Sequence, residues 1–117
     1  GIALSGYDAV SYFKAGGPVR GSQKNALMWR GATWYFATPE TLMQFEMDPE
    51  AFAPQFGGYC AYSVAEGHTG TAEPGAFVIY EGKLYLLHDS AVLARLQPGL
   101  AAIIQKAEAN WPDALDK

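Results

Sequence analysis

Three side chains in this sequence could hold a soft metal ion: Cys60, His68 and His88. Thiolate and imidazole are soft or borderline donors, and the set suits copper best. Gly57 and Gly58 let the backbone turn sharply just before Cys60, which places the thiol near the first turn of a short helix. A thiol at a helix start is a setting in which sulfur serves as metal ligand or nucleophile. Cysteine is also a small apolar group that simply packs, and that alternative stays open. His68 lies in the polar loop His68-Thr69-Gly70-Thr71, which would have to fold back to bring it to Cys60. His88 ends a strand signal just before Asp89, whose carboxylate could orient the imidazole. Two or three donors leave a coordination sphere incomplete, so the expectation is at most one weakly held, exchangeable ion.

The tyrosines offer a second chemistry. Tyr59, Tyr62 and Tyr85, with Tyr80, could line a pocket with their hydroxyls inward and take a small ligand. They could equally be core bodies whose hydroxyls reach the surface. Asp8, Glu40, Glu46, Asp48 and Glu50 sit at helix starts or on polar faces, which reads as capping and solvation. Met28, Met43 and Met47 are soft donors too, but the helical spacing of Met43 and Met47 reads as core packing. The chain has no P-loop, no dinucleotide-binding glycine fingerprint, no HExxH, no GxSxG elbow and no CxxC. A nucleophilic pair of Cys60 with a histidine would lack an oxyanion site and any orienting group beyond Asp89. The chain is therefore not read as an enzyme.

Composition narrows the class further. The chain has 117 residues, half of them hydrophobic and 17% charged, with a net charge of −4. That fits one folded domain with a real core rather than a self-solvating polymer. The eight Lys and Arg are scattered singly, not gathered into the basic stripe that nucleic acid requires. No apolar run reaches the roughly 18 residues of a membrane span. A lone cysteine makes no disulfide framework.

The elements that must position these groups are legible in part. Tyr7 to Ala15 reads as a short helix stopped by Gly16-Gly17-Pro18. Ala26–Arg30 and Thr33–Ala37 read as strands joined at Gly31-Ala32 in a type II′ turn. Thr38-Pro39-Glu40 opens a helix carrying Leu42 and Phe45, and Asp48-Pro49-Glu50 opens a shorter one. Tyr59 to Ala65 supplies one or two helical turns. Ala76–Tyr80 and Lys83–Leu87 form a second hairpin around Glu81-Gly82, in a type I′ turn. Asp89 or Ser90 caps the next helix. From Pro98, the stripe Leu100, Ile103, Ile104, Ala107 and Trp111 marks a C-terminal amphipathic helix. No internal repeat is evident. The expectation is an α+β fold, a single domain over 1–117, with two hairpins forming an antiparallel sheet and short helices packed on it. Residues 1–5 and 112–117 read as loose ends.

Several blocks carry a family resemblance. Gly6-Tyr7-Asp8-Ala9-Val10-Ser11-Tyr12-Phe13, Trp29-Arg30-Gly31-Ala32-Thr33-Trp34-Tyr35-Phe36-Ala37, and Phe45 with Asp48-Pro49-Glu50-Ala51-Phe52-Ala53-Pro54 resemble the YHS domain. Gln55 to Tyr62, Gly82 to Leu86 and Lys106 to Pro112 are similar to its longer, stand-alone branch. The resemblance implies a small α+β domain related to TRASH-type metal-binding modules. It also implies a bacterial protein exported behind a signal sequence, hence periplasmic or secreted. Short relatives carry cysteine ligands where this chain has Ser11, Ala37 and Thr41, so their thiolate site is absent and any metal would fall to Cys60 and the histidines. Two readings follow. One is a metal-handling module, copper favoured. The other is a non-catalytic domain that binds a small ligand or a protein partner through the Gly-rich loop 55–75.

Overall fold

Helix starts are set locally in this chain. Thr38 accepts from the Thr41 amide at 3.1 Å, Thr41 returns a bond to the Thr38 amide, and Pro39 occupies the first helical position. Asp89 caps in the same way, accepting from the Val92 amide at 2.9 Å. A computed structural model describes residues 1–116. In chain order it contains α1 (Ser11–Lys14), β1 (Ser22–Trp29), β2 (Ala32–Phe36), α2 (Pro39–Met47), α3 (Pro49–Phe52), α4 (Ala61–Ala65), β3 (Glu73–Tyr80), β4 (Lys83–Leu87), α5 (Ser90–Leu96) and α6 (Leu100–Asn110). The fold is α+β. The two hairpins do not share a sheet; each is its own two-stranded antiparallel sheet. The chain divides into two compact units, Gly1–Ala53 and a second beginning at Pro54.

The first unit closes around aromatic side chains. Trp29, on β1, meets Phe45 of α2 edge-on at 5.5 Å, and Trp34 and Phe36 of β2 flank the same ring at 4.9 and 5.0 Å. Such pairs add to the area that they bury. In the second unit α6 presents Leu100, Ile104 and Ala107 to a core shared with Val64, Tyr85 and Leu87. Asn110 donates to the carbonyls of Val64 and Ala65, both at 3.0 Å, and so fastens α6 to the C-terminal end of α4.

Four local expectations need correction. The first hairpin turns at Arg30-Gly31, both with positive φ (49° and 77°), so it is type I′ and not II′. That hand of turn matches the twist of the strands. The first helix is only Ser11–Lys14, because Leu4, Ser5 and Gly6 are left-handed and Tyr7 is extended. Among the described residues both ends carry structure: the Thr33 amide donates to the Gly1 carbonyl at 3.0 Å, and Asp113–Asp116 forms a 3-10 turn around a buried Ala114. Lys117 lies outside the described residues.

The fourth correction concerns repetition. The two units are built on one plan. Leu4, Ser5 and Gly6 are left-handed, as are Phe56, Gly57 and Gly58. The turn is closed by Tyr7 N–H to Leu4 O at 3.0 Å in one unit and by Tyr59 N–H to Phe56 O at 3.1 Å in the other. The next residue donates to a distant carbonyl in both: Asp8 to Val19 at 2.8 Å, Cys60 to Gly70 at 2.9 Å. The hairpins share register and irregularity, Ser22 opposite Phe36 then Ala26 opposite Tyr35, and Glu73 opposite Leu87 then Phe77 opposite Leu86. Arg30-Gly31 is matched by Glu81-Gly82, and the Thr38 cap by the Asp89 cap. The sequence hides this because few identities survive beyond Gly-Tyr, one Ala, one Ser and the turn glycine.

Candidate functional site

In the repeated plan Asp8 and Cys60 occupy the same position, and their surroundings differ. Asp8 is fully buried. Its Oδ1 accepts from the amides of Val10 at 2.8 Å and Ser11 at 3.3 Å, and its Oδ2 from the Ala37 amide at 2.9 Å and the Thr41 hydroxyl at 2.6 Å. The carboxylate thus ties the start of α1 to the start of α2. The reading of Asp8 as a solvated cap is corrected: buried charge is tolerated only with this degree of pairing. Ser11, Ala37 and Thr41, the positions where a thiolate site was expected to be missing, all converge on this one carboxylate.

Cys60 stands at the N-cap of α4, as its spacing suggested, with only 1% of its surface exposed. It bridges Leu86 of β4 and lies within the apolar core of the second unit. His68 and His88 are both exposed. His68 donates from Nδ1 to the Thr69 carbonyl at 3.3 Å, and His88 from Nδ1 to the Thr71 carbonyl at 3.2 Å. The His88 ring is held by the Thr71 carbonyl and not by Asp89, whose Oδ1 caps α5. Among the described residues no three His, Cys, Asp or Glu side chains gather as a metal site. The expected set of Cys60, His68 and His88 is therefore not assembled. Its sulfur is drawn into the core by the bridge to β4, while both rings face solvent.

The tyrosines also separate. Tyr85 is buried, with its ring 5.8 Å from Phe56. Burial pushes its hydroxyl pKa up from the ordinary value, and the nearby charges of Glu108 and Glu81 push the same way. Tyr62 is half-buried, and the Arg95 guanidinium lies over its ring, 5.7 Å from the centroid. Tyr59 is exposed and leans on Trp111, ring centres 6.3 Å apart. Phe56 supports Trp111 from below at 5.8 Å. A Cβ at Gly57 would touch both Trp111 and Tyr59, at 3.5 and 3.6 Å.

Trp111 was read only as the last residue of the α6 stripe, and its place beside Tyr59 was missed. Trp111 is the C-cap of α6 and packs partly buried against the core of the second unit, so the stripe accounts for its buried side and gave no sign of its contact with Tyr59. The methionines are a further correction. Met28, Met43 and Met47 are 68%, 59% and 80% exposed, so none is a core residue. Comparison with known proteins yields no family model, no curated protein and no solved structure that matches the chain.

Proposed function

We propose that the chain is a non-catalytic binding module whose contact surface is the 55–59 turn together with Trp111. One observation carries the reading. In the first unit the ring of Tyr7 is covered by the Arg20 guanidinium, 5.0 Å from its centroid. The matching ring, Tyr59, is exposed, and among the described residues no cation lies over it. An aromatic face beside a tryptophan, on a protein of net charge −4, favours a cationic group. The ligand class is a protein segment or small molecule bearing a guanidinium or ammonium. The test is chemical-shift mapping of the full chain with the tripeptide Gly-Arg-Gly and with Gly-Glu-Gly. Saturable shifts at Tyr59 and Trp111 with the first alone, lost in Tyr59→Ala, support the reading. Equal response to both peptides, or no response at Tyr59, overturns it.

The metal-handling reading keeps one supporting observation. His68 and His88 both hold Nδ1 on carbonyls of one short segment, which leaves each Nε2 free toward solvent for a borderline ion such as copper. Such an ion would be weak and exchangeable. The resemblance to exported YHS domains supports a periplasmic or secreted setting for either reading. Isothermal titration with Cu(II) before and after His68→Ala and His88→Ala distinguishes them, since equal heats in all three proteins remove the imidazole site.

A further inference from the structure

We propose that Met43 and Met47 form a thioether site for a soft monovalent cation, Cu(I) or Ag(I), independent of the aromatic surface above. Both side chains are mostly in solvent, 59% and 80% exposed. They lie four residues apart on α2, so they share one face with Cβ atoms roughly 5–6 Å apart. Two sulfurs that bind one ion through bonds of roughly 2.3 Å must approach to about 4.6 Å or less. Each methionine has three rotatable bonds, which is ample freedom to close that gap.

The repeated plan supplies an internal control on whether the fold needs these residues. Leu42 and Phe45 of α2 are matched by Leu93 and Leu96 of α5, and both pairs pack against their own cores. Ala94 and Pro98 stand where Met43 and Met47 stand. The plan therefore conserves the buried face and leaves the thioether face free to vary. With Ala94 and Pro98 at the matching positions, the shared plan does not require a thioether at either place, and both sulfurs stand in solvent where an ion can reach them.

The local field favours a cation. Met47 is the last residue of α2, where the unpaired carbonyls carry partial negative charge, and the last turn has no basic residue to offset it. Glu40, Glu46 and Asp48 are exposed around the same helix, whereas Glu50 is engaged by Arg30 at 2.6 Å. A thioether is neutral at every accessible pH and soft, so it selects a soft ion over Zn(II) or Mg(II). It has no proton to lose on binding. Affinity should stay level with pH where an imidazole or thiol site would weaken in acid. Met28 serves as the reference, since its sulfur accepts from the Thr33 hydroxyl at 2.9 Å and has no partner thioether one turn away.

The experiment is an Ag(I) titration of the full chain with methionine methyl groups labelled by carbon-13, in chloride-free buffer. Cys60→Ala removes the competing thiol, and Cys60→Ser provides the same background should the alanine variant not fold. The expected result is a joint shift of the Met43 and Met47 methyl signals that saturates at one equivalent, with Met28 unmoved. Met43→Leu or Met47→Leu alone should weaken binding at least about tenfold, and the pair should abolish it, with melting unchanged. Binding should be the same at about pH 5.5 and pH 7.5. Three methyl signals that move alike without saturation would overturn the site. So would a double Leu variant that binds as the parent does, or affinity that collapses at the lower pH.

Discussion

Replacing Asp8 with alanine isolates the contribution of the most heavily bonded side chain in the first unit. The substitution leaves three amides and one hydroxyl without their acceptor. Thr41 keeps a second partner, the Thr38 carbonyl at 3.1 Å, so its loss is small. The Ser11 bond is long at 3.3 Å and weak. The Val10 and Ala37 amides lose short bonds to a buried charge, at 2.8 and 2.9 Å. Bonds to charged groups are worth about 1.5–3 kcal/mol each, so the expected cost of losing these two is about 3–6 kcal/mol. Asp8→Asn keeps the shape and one acceptor, but turns an NH2 toward the Ala37 amide, and should cost about half as much. Thr41→Val places at α2 the residue that Val92 supplies at α5, and should cost about 1 kcal/mol. The assay is urea unfolding followed by the fluorescence of Trp29 and Trp34, in a Trp111→Phe background that silences the second unit. The slope with urea should stay constant while the midpoint falls in the order wild type, Thr41→Val, Asp8→Asn, Asp8→Ala. An Asp8→Ala loss below about 1 kcal/mol would refute the argument that these donors depend on the carboxylate.

Alkaline titration should find Tyr12 and Tyr85 still protonated above pH 10, because burial raises the pKa of both from 10.0. The unfolded chain loses those protons first, so stability is intact below pH 10 and falls as pH rises beyond it. Tyr12→Phe and Tyr85→Phe should flatten the fall, and absorbance at 295 nm during alkaline unfolding reads it directly; an alkaline loss of stability unchanged in both variants would contradict it. Ile104 is buried in the core of the second unit, and Ile104→Asp should cost about 3–5 kcal/mol as an unpaired buried charge. A melt of that variant matching wild type would show that α6 does not dock through this face.

The sequence alone determined what nearest neighbours decide. Thr38-Pro39 and Asp89 specify helix starts because the cap acceptor and the amide it serves are three residues apart. Glu81-Gly82 specifies its turn because the backbone needs positive φ there and glycine supplies it. The α6 stripe, Leu100 to Trp111, has one apolar face and therefore one way to lie. In α2 the same logic is ambiguous. Leu42 with Phe45 and Met43 with Met47 are both apolar at helical spacing, and only the aromatic rings of β1 and β2 select the first pair for the core. Asp8 gives no local sign of burial, since the Ala37 and Thr41 groups that make it tolerable arrive from about thirty residues away. Cys60 is placed at a helix start by its glycines, but whether its sulfur meets solvent is decided by β4. The repeat is invisible for the same reason. The plan is held in φ angles, register and long-range hydrogen bonds, which many residue types can satisfy, so it persists in tertiary structure after its identities have largely gone.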